Sequence, residues 1–176
     1  MKNDAQTVAL TPKEYELEVK KILDASGVSL TEYESTHLEP ISVCDGEYII
    51  DVVARFSALG ASFLVLVECK HHKRRVERQD VQVLHSKVQS LGAHKGMLFS
   101  VTGFQSGAID FAASHGIALV QLASGETSWF TRSATSPAKP PPWAEIPQCI
   151  GWWYQGNSRS IMSEDYGEFT RKALGL

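Results

Sequence analysis

The sequence predicts an α/β domain in which helices flank a central mixed β-sheet. Residues 63–67 are five consecutive apolar residues that lead into Glu68 and Lys70, as expected where a buried central strand emerges at its polar end. A short turn at residues 59–61 joins this strand to the strand before it, which predicts an antiparallel pair. A whole helix separates it from the strand after it, which predicts a parallel pair. The sheet is therefore expected to contain both strand directions.

The first half of the chain is predicted to contain one helix followed by three strands. Thr11 is a typical N-cap, Pro12 suits the first helical position and Glu14 completes a capping box. Pro40 is expected to end the first strand, which is predicted to lie at an edge of the sheet. These elements are a helix over residues 12–26 and strands over residues 28–38, 48–56 and 62–70.

The second half is predicted to alternate between helices and strands. Val81, Leu84 and Val88 recur at steps of three and four, which marks the apolar face of a helix. Gly92 and Gly116 each follow a predicted helix and suit a left-handed C-terminal cap. These elements are helices over residues 76–91 and 105–115 and strands over residues 95–101 and 117–122.

The character of the chain changes beyond residue 125. Residues 136–147 are rich in proline and predict an irregular connector, and residues 164–174 predict a short helical end. Between them, the aromatic cluster at residues 152–154 can stack on unpaired bases, or it can cover a sheet edge or a subunit contact, which is the commoner use. We therefore predict one domain over residues 11–125 and a C-terminal extension over residues 126–176.

Composition limits the class of protein and the nature of its partners. The 176 residues are 43% hydrophobic and 21% charged, which is typical of a soluble globular domain. The net charge of −3 gives no overall signal for nucleic acid, so DNA binding would require a local basic patch. One such patch follows the central strand, although a solvated charged turn has the same composition. It contains His71, His72, Lys73, Arg74, Arg75 and Arg78.

The cysteines and the apolar pattern favour a location in the cytoplasm. Cys44, Cys69 and Cys149 lack paired zinc spacing, and an odd number of thiols favours a reduced, intracellular protein. The sequence contains no apolar leader and no stretch of about 18 apolar residues, so no membrane association is expected.

Asp51, Glu68 and Lys70 are the residues most suited to chemistry. Because side chains alternate along a strand, Glu68 and Lys70 share one face while Cys69 points to the other. The predicted hairpin brings Asp51 close to Glu68, and two neighbouring carboxylates repel unless a dication compensates. Mg²⁺ suits such a pair, with Lys70 at the attacking water. A surface Glu/Lys pair at an exposed strand end is the structural alternative.

The pattern of these residues resembles that of the PD-(D/E)xK nuclease superfamily, in its Mrr-type restriction endonuclease branch. The resemblance covers roughly residues 11–122 and implies a restriction-endonuclease-like, three-layer α/β/α fold with a central mixed sheet. The matching positions are Tyr15, Glu16, Gly46, Asp51, Glu68, Cys69, Lys70, Lys95, Gly96, Met97, Leu98, Phe99, Ser100, Gly103, Phe104, Ala108, Ala112, Gly116, Ile117 and Leu119.

The resemblance also implies roles for individual residues. Asp51 and Glu68 would bind Mg²⁺, with Mn²⁺ able to substitute, and Lys70 would be the catalytic lysine. Glu16 is a candidate accessory acid. On the helix after the lysine, Gln82 rather than Gln79 is the candidate supporting glutamine. The basic patch would contact the DNA backbone, although His71 and His72 are more readily explained as solvated loop residues.

The expected function is therefore a metal-dependent DNA endonuclease with a restriction or DNA-defence role. A homodimer is expected because double-strand cleavage usually needs two active sites. Sequence specificity would come from a separate specificity or motor subunit or from the C-terminal extension, or the enzyme would have none. The alternatives are a catalytically silent module for DNA binding or subunit assembly, and a nuclease acting on RNA or on DNA junctions.

Overall fold

The computed structural model describes residues 10–124, 147–156, 158–163 and 167–174, and its strands form one seven-stranded sheet. The strands are β1 (Thr31–Val43), β2 (Gly46–Ala58), β3 (Ala61–Lys70), β4 (Lys95–Ser100), β5 (Ala118–Ser124), β6 (Cys149–Gln155) and β7 (Ser158–Met162). The described helices are α1 (Pro12–Gly27), α2 (Arg78–Ser90), α3 (Ser106–His115) and α4 (Gly167–Leu174).

The sheet is mixed, as predicted, and its strands lie in the order of the chain from β1 to β7. The first three strands pair antiparallel, β3, β4 and β5 are parallel, and β6 and β7 add two antiparallel strands. The parallel pairs require the crossovers that α2 and α3 provide.

Helices cover both faces of the sheet, which confirms the three-layer α/β/α arrangement. On one face, Tyr15 and Val19 of α1 and Ala173 of α4 pack on side chains such as Val67 and Val120. On the other face, α2 and α3 pack on the sheet through a second core cluster. We call these the α1 face and the α2 face.

Two of the boundaries that differ from the prediction have a clear physical reason. Strand β1 continues through Pro40 to Val43, so the expectation that Pro40 ends it is wrong. Because β1 is an edge strand, it tolerates a residue that lacks an N–H group. Helix α2 begins at Arg78, since Val76 instead forms an isolated bridge with Phe104, and the backbone N–H of Glu77 donates to the Asp80 carboxylate at 2.9 Å.

The C-terminal residues extend the same sheet, through two strands that the sequence did not predict. Strand β6 pairs with β5, and the aromatic cluster at residues 152–154 lies on it, so the cluster covers the edge of β5. Met162 of β7 is fully buried in the core of the α1 face. Residues on both sides of the predicted division at residue 125 thus share one core. The proline-rich connector, apart from Pro147 at its end, lies outside the described residues, whereas α4 matches the predicted helical end.

Among the described helices, none has the length and apolar character needed to cross a membrane.

Candidate active site

The carboxyl end of β3 carries Glu68 and Lys70 side by side, as strand alternation predicts. The Lys70 ammonium nitrogen lies 3.4 Å from Oε2 of Glu68, and the Glu68 side chain is only 8% exposed. Cys69 packs against the core of the α1 face, where burial raises the pKa of its thiol well above the ordinary value. Glu68 is therefore a buried acid rather than one half of a surface ion pair.

Asp51 lies beside this segment, where β2 and β3 separate. The last backbone pair between the two strands joins Val52 to Val67. Beyond this pair, the Cys69 N–H group donates a hydrogen bond to Oδ2 of Asp51 at 2.7 Å. The side chain thus accepts a hydrogen bond at the point where strand pairing stops, which holds Asp51 against the Glu68 segment.

The backbone is irregular at this level of the sheet. Ile50 and Val53 both pack on the α2 face although strict alternation would place them on opposite faces. On the neighbouring β1, Leu38 has a φ of 53°, and it lies between the paired positions His37–Val52 and Glu39–Ile50. A left-handed leucine is a strained conformation of the kind that concentrates at functional sites. The break in alternation falls next to Asp51.

The Asp51 carboxyl lies in a negative environment. Burial is the main cause that raises its pKa, and the carboxylates of Glu68 and Glu16 raise it further. The Cys69 N–H group and the Lys70 ammonium act in the opposite direction without cancelling the rise. A bound cation would relieve this excess of negative charge.

Asp51→Asn is expected to stabilise the protein in EDTA, more so as pH rises. Because the folded pKa is above the ordinary value of 3.8, the wild-type folded state binds more protons than the unfolded state, and wild-type stability falls as pH rises from 3.8 through the raised pKa. The variant lacks this loss, so its melting temperature should exceed that of wild type by a few degrees at pH 8 and match it near pH 4. Thermal unfolding at stepped pH measures the difference, and a constant difference across pH would contradict the assignment.

Glu16 of α1 is held in place by His37 of β1. Oε2 of Glu16 lies 2.7 Å from Nε2 of His37. Glu16 is close enough to Asp51 to raise its pKa, so the structure brings this candidate accessory acid to the site. The sequence did not single out His37, although it alternates with Tyr33 and Ser35 on the side of β1 that contacts α1.

Lys87 of α2 is the second residue that the sequence analysis missed. Its ammonium nitrogen lies 2.6 Å from Oε1 of Glu68. Lys87 follows Leu84 by three residues and precedes Leu91 by four, so it lies on the apolar, sheet-facing stripe of α2, and this position was the available signal. Gln82 is exposed on the same helix, and its side chain makes no hydrogen bond to any of the described residues. Its supporting role stays a prediction.

The residues of the basic patch differ in their partners. Arg74 binds the Asp80 carboxylate through two hydrogen bonds of 2.9 and 3.2 Å. His71 packs against the ring of Tyr15 at 5.5 Å, and its Nε2 atom is buried with no hydrogen-bond partner among the described residues. The Arg78 guanidinium lies over the Phe111 ring at 5.3 Å. His72, Lys73 and Arg75 are exposed.

Arg75 lies near a second cationic group on the C-terminal strands. The Arg159 guanidinium lies 4.5 Å from the centre of the Tyr154 ring, and the Tyr154 hydroxyl donates to Oε1 of Gln121 at 2.8 Å. Burial raises the pKa of Tyr154, while Arg159 and Arg75 both oppose that rise, so both arginines are close to the phenol. Gln121 pairs with Ser100, and Ser100 pairs with Lys70. Gln121 is therefore two strands from Lys70, whereas Tyr154 and Arg159 lie three and four strands from it.

The sequence was compared with models of protein families. The restriction endonuclease model Mrr_cat matches residues 7–138, which is most of the chain. The chain belongs to this restriction endonuclease family. The match confirms the resemblance that Asp51, Glu68 and Lys70 indicated, and it ends before β6 begins.

Two solved structures are similar to parts of this chain. A crystal structure of a protein of unknown function, AF1548, is 21% identical, with a TM-score of 0.50 over 61% of this chain and 55% of the other. A structure of an EndoMS–dsDNA2 complex is 22% identical, with a TM-score of 0.43 over 79% of this chain and 51% of the other. The aligned parts span about half the length of these proteins. Among curated proteins, none matches the sequence significantly.

Proposed function

We propose that the protein is a metal-dependent endonuclease that hydrolyses phosphodiester bonds in DNA. The observation that carries this proposal is the placement of a buried Glu68 between Asp51 and Lys70 at the point where β2 and β3 separate. Membership in a restriction endonuclease family supports it. A restriction or defence role in the cytoplasm, and cleavage by a homodimer with two active sites, are parts of the same proposal.

The donor atoms fit a hard divalent cation. Asp51 and Glu68 offer carboxylate oxygens, and the raised pKa of Asp51 reflects negative charge that a cation would offset. No group of three or more His, Cys, Asp or Glu side chains suited to a metal is found in the part of the chain that the structure describes. Mg²⁺ commonly uses one or two carboxylates and completes its shell with water, so two suffice, and Mn²⁺ can substitute. When bound, such an ion supplies Lewis acidity and a more acidic water.

The side chains of this protein then have separate tasks. Asp51 and Glu68 hold the cation, and Glu16, fixed by His37, adds negative charge around Asp51. The Lys70 ammonium orients the attacking water and offsets charge that develops on the phosphate. The water oxygen forms a bond to phosphorus and loses a proton to the solvent, while the bond from phosphorus to the leaving sugar oxygen breaks and that oxygen takes up a proton from the solvent.

Arg75 and Arg159 are the best placed residues for contact with the DNA backbone. Neither has an acidic partner among the described residues, whereas Arg74 is already neutralised by Asp80. Phosphate contacts of this kind position a duplex without reading its sequence. Lys73 is exposed in the loop between β3 and α2, and specificity would come from another subunit or from the C-terminal residues, or would be absent.

Arg75→Ala and Arg159→Ala are each expected to weaken binding to a short DNA duplex several-fold. Each should lower the slope of log affinity against log salt concentration by about 1, because one phosphate contact is lost. Fluorescence anisotropy in EDTA, over a range of salt, separates binding from cleavage. Arg74→Ala is the matched control and should change the slope less. An equal effect of all three substitutions would contradict the assignment.

Plasmid cleavage tests the proposed function directly. Supercoiled DNA is incubated with the protein and Mg²⁺, Mn²⁺ or EDTA, and nicked and linear products are measured. Metal-dependent products support the proposal, and competition by RNA or by a four-way junction would identify either as the preferred substrate. Absence of cleavage together with absence of metal binding by calorimetry would support the silent-module alternative.

A further inference from the structure

The Lys87 ammonium of α2 contacts one of the two carboxylate oxygens of Glu68. The distance from Nζ to Oε1 is 2.6 Å, which is shorter than the 3.4 Å between Lys70 and Oε2 of the same carboxylate. The Lys87 side chain is 21% exposed and that of Glu68 is 8% exposed, so the pair is shielded from water. Both oxygens of a candidate metal ligand thus have an ammonium group as neighbour.

The helix fixes the position of this ammonium. Lys87 lies in the last turn of α2, where a cation is favoured by the helix dipole. On either side of it along the apolar stripe, Leu84 is buried and Val88 packs against the core of the α2 face, so α2 is anchored to the sheet. The anchored helix thus fixes the backbone position from which the Lys87 side chain reaches Glu68.

Lys70 and Lys87 counter the charge of Glu68 even when no metal ion is bound. Asp51 and Glu68 contribute two negative charges and the two lysines two positive charges, while Glu16, which is paired with His37, adds negative charge near Asp51. With Lys70 alone, one buried carboxylate would lack a counterion, and an unpaired buried charge is strongly unfavourable. A divalent cation entering this site therefore meets a carboxylate that is already paired.

We propose that Lys87 is an internal counterion that competes with the divalent metal ion for Glu68, so that it weakens metal binding and stabilises the metal-free fold. This inference rests on the proposed function, because it requires a metal site at Asp51 and Glu68. Lys87 acts through Glu68 and is a positioning residue. Because of this competition, a higher metal concentration is needed to fill the site than the acid pair alone would require.

Metal titration of Lys87→Met tests the inference without substrate. Isothermal calorimetry with Mn²⁺ and Mg²⁺ on the full chain should give a dissociation constant at least about tenfold lower than that of wild type, because a competing charge is removed. In EDTA, the variant should melt at a lower temperature than wild type, and saturating metal should reduce that difference. Lys87→Arg should restore wild-type affinity in large part, and Lys87→Gln replaces Lys87→Met if the latter does not fold.

Lys20→Met is the matched control. It breaks a lysine–carboxylate pair with Asp24 at 2.7 Å on α1, and Lys20 is 27% exposed, which is close to the exposure of Lys87. Its metal affinity should equal that of wild type. If wild type binds metal and Lys87→Met binds it no more tightly, the inference is overturned and the proposed function stands. If neither protein binds metal, both are overturned, whereas binding by Lys87→Met alone supports the inference.

Discussion

Asp51→Asn is expected to lower the rate of DNA cleavage by about a hundredfold to a thousandfold or more, while the protein stays folded. The amide keeps an oxygen that can accept from the Cys69 N–H group, so the local hydrogen bond at 2.7 Å can survive. It loses the charge that attracts a cation, so metal binding should fall together with activity. Initial rates of plasmid nicking and calorimetry with Mn²⁺ measure the two losses.

Lys70→Met separates catalysis from metal binding at the same site. The substitution should lower the cleavage rate by a similar factor because the charge at the attacking water is lost, yet metal binding should persist because no ligand is removed. Asp110→Asn is the control for both variants, since Asp110 is exposed on α3. Full activity in either active-site variant would exclude the proposed site, and loss of activity in the control would point to an unspecific effect.

Met162→Ala is expected to lower the free energy of unfolding by about 2–5 kcal/mol. Met162 is fully buried, and it packs on the α1 face in the same cluster as Tyr15 and Val120. Its removal leaves a cavity in a core that the N-terminal helix shares. Urea unfolding measures the loss, and Ser158→Ala, at the exposed start of β7, should change stability by less than about 0.5 kcal/mol.

The same contact bears on the predicted division at residue 125. A fragment ending there would lack β6 and β7, which would leave β5 as an unpaired, apolar sheet edge. Such a fragment should aggregate or unfold at a lower temperature than the full chain. A stable, soluble fragment, together with a negligible effect of Met162→Ala, would show that the C-terminal residues contribute little to the stability of the rest of the protein.

The sequence predicted features that depend on local periodicity. Apolar spacing located α1, α2 and α3, and alternation along β3 placed Glu68 and Lys70 on one face and Cys69 on the other. The strand β6 was missed because its bulky aromatic residues follow a proline-rich stretch and show no alternation of apolar and polar residues. Pro40 was misjudged because an edge strand has one side that forms no ladder hydrogen bonds.

The contacts of Glu16 and Glu68 could not be predicted in the same way. His37 meets Glu16, and Lys87 meets Glu68, only after separate elements have packed together. Both partners are polar residues on surfaces that face the protein interior, where an unpaired charge would be costly. The one available signal was a polar residue on an otherwise apolar surface. This signal shows that the residue needs a polar partner but does not show which residue that partner is.

The strands lie in the sheet in the same order as in the chain, which has a consequence for synthesis on the ribosome. Every strand adds next to the one made just before it, so no early strand must wait for a distant partner. All residues assigned to the active site, from Glu16 to Lys87, lie in the first half of the polypeptide. The strands and helices that carry the acidic residues are therefore synthesised before the last two strands, which complete the core of the α1 face. The final hairpin then covers the edge of β5 and completes that core.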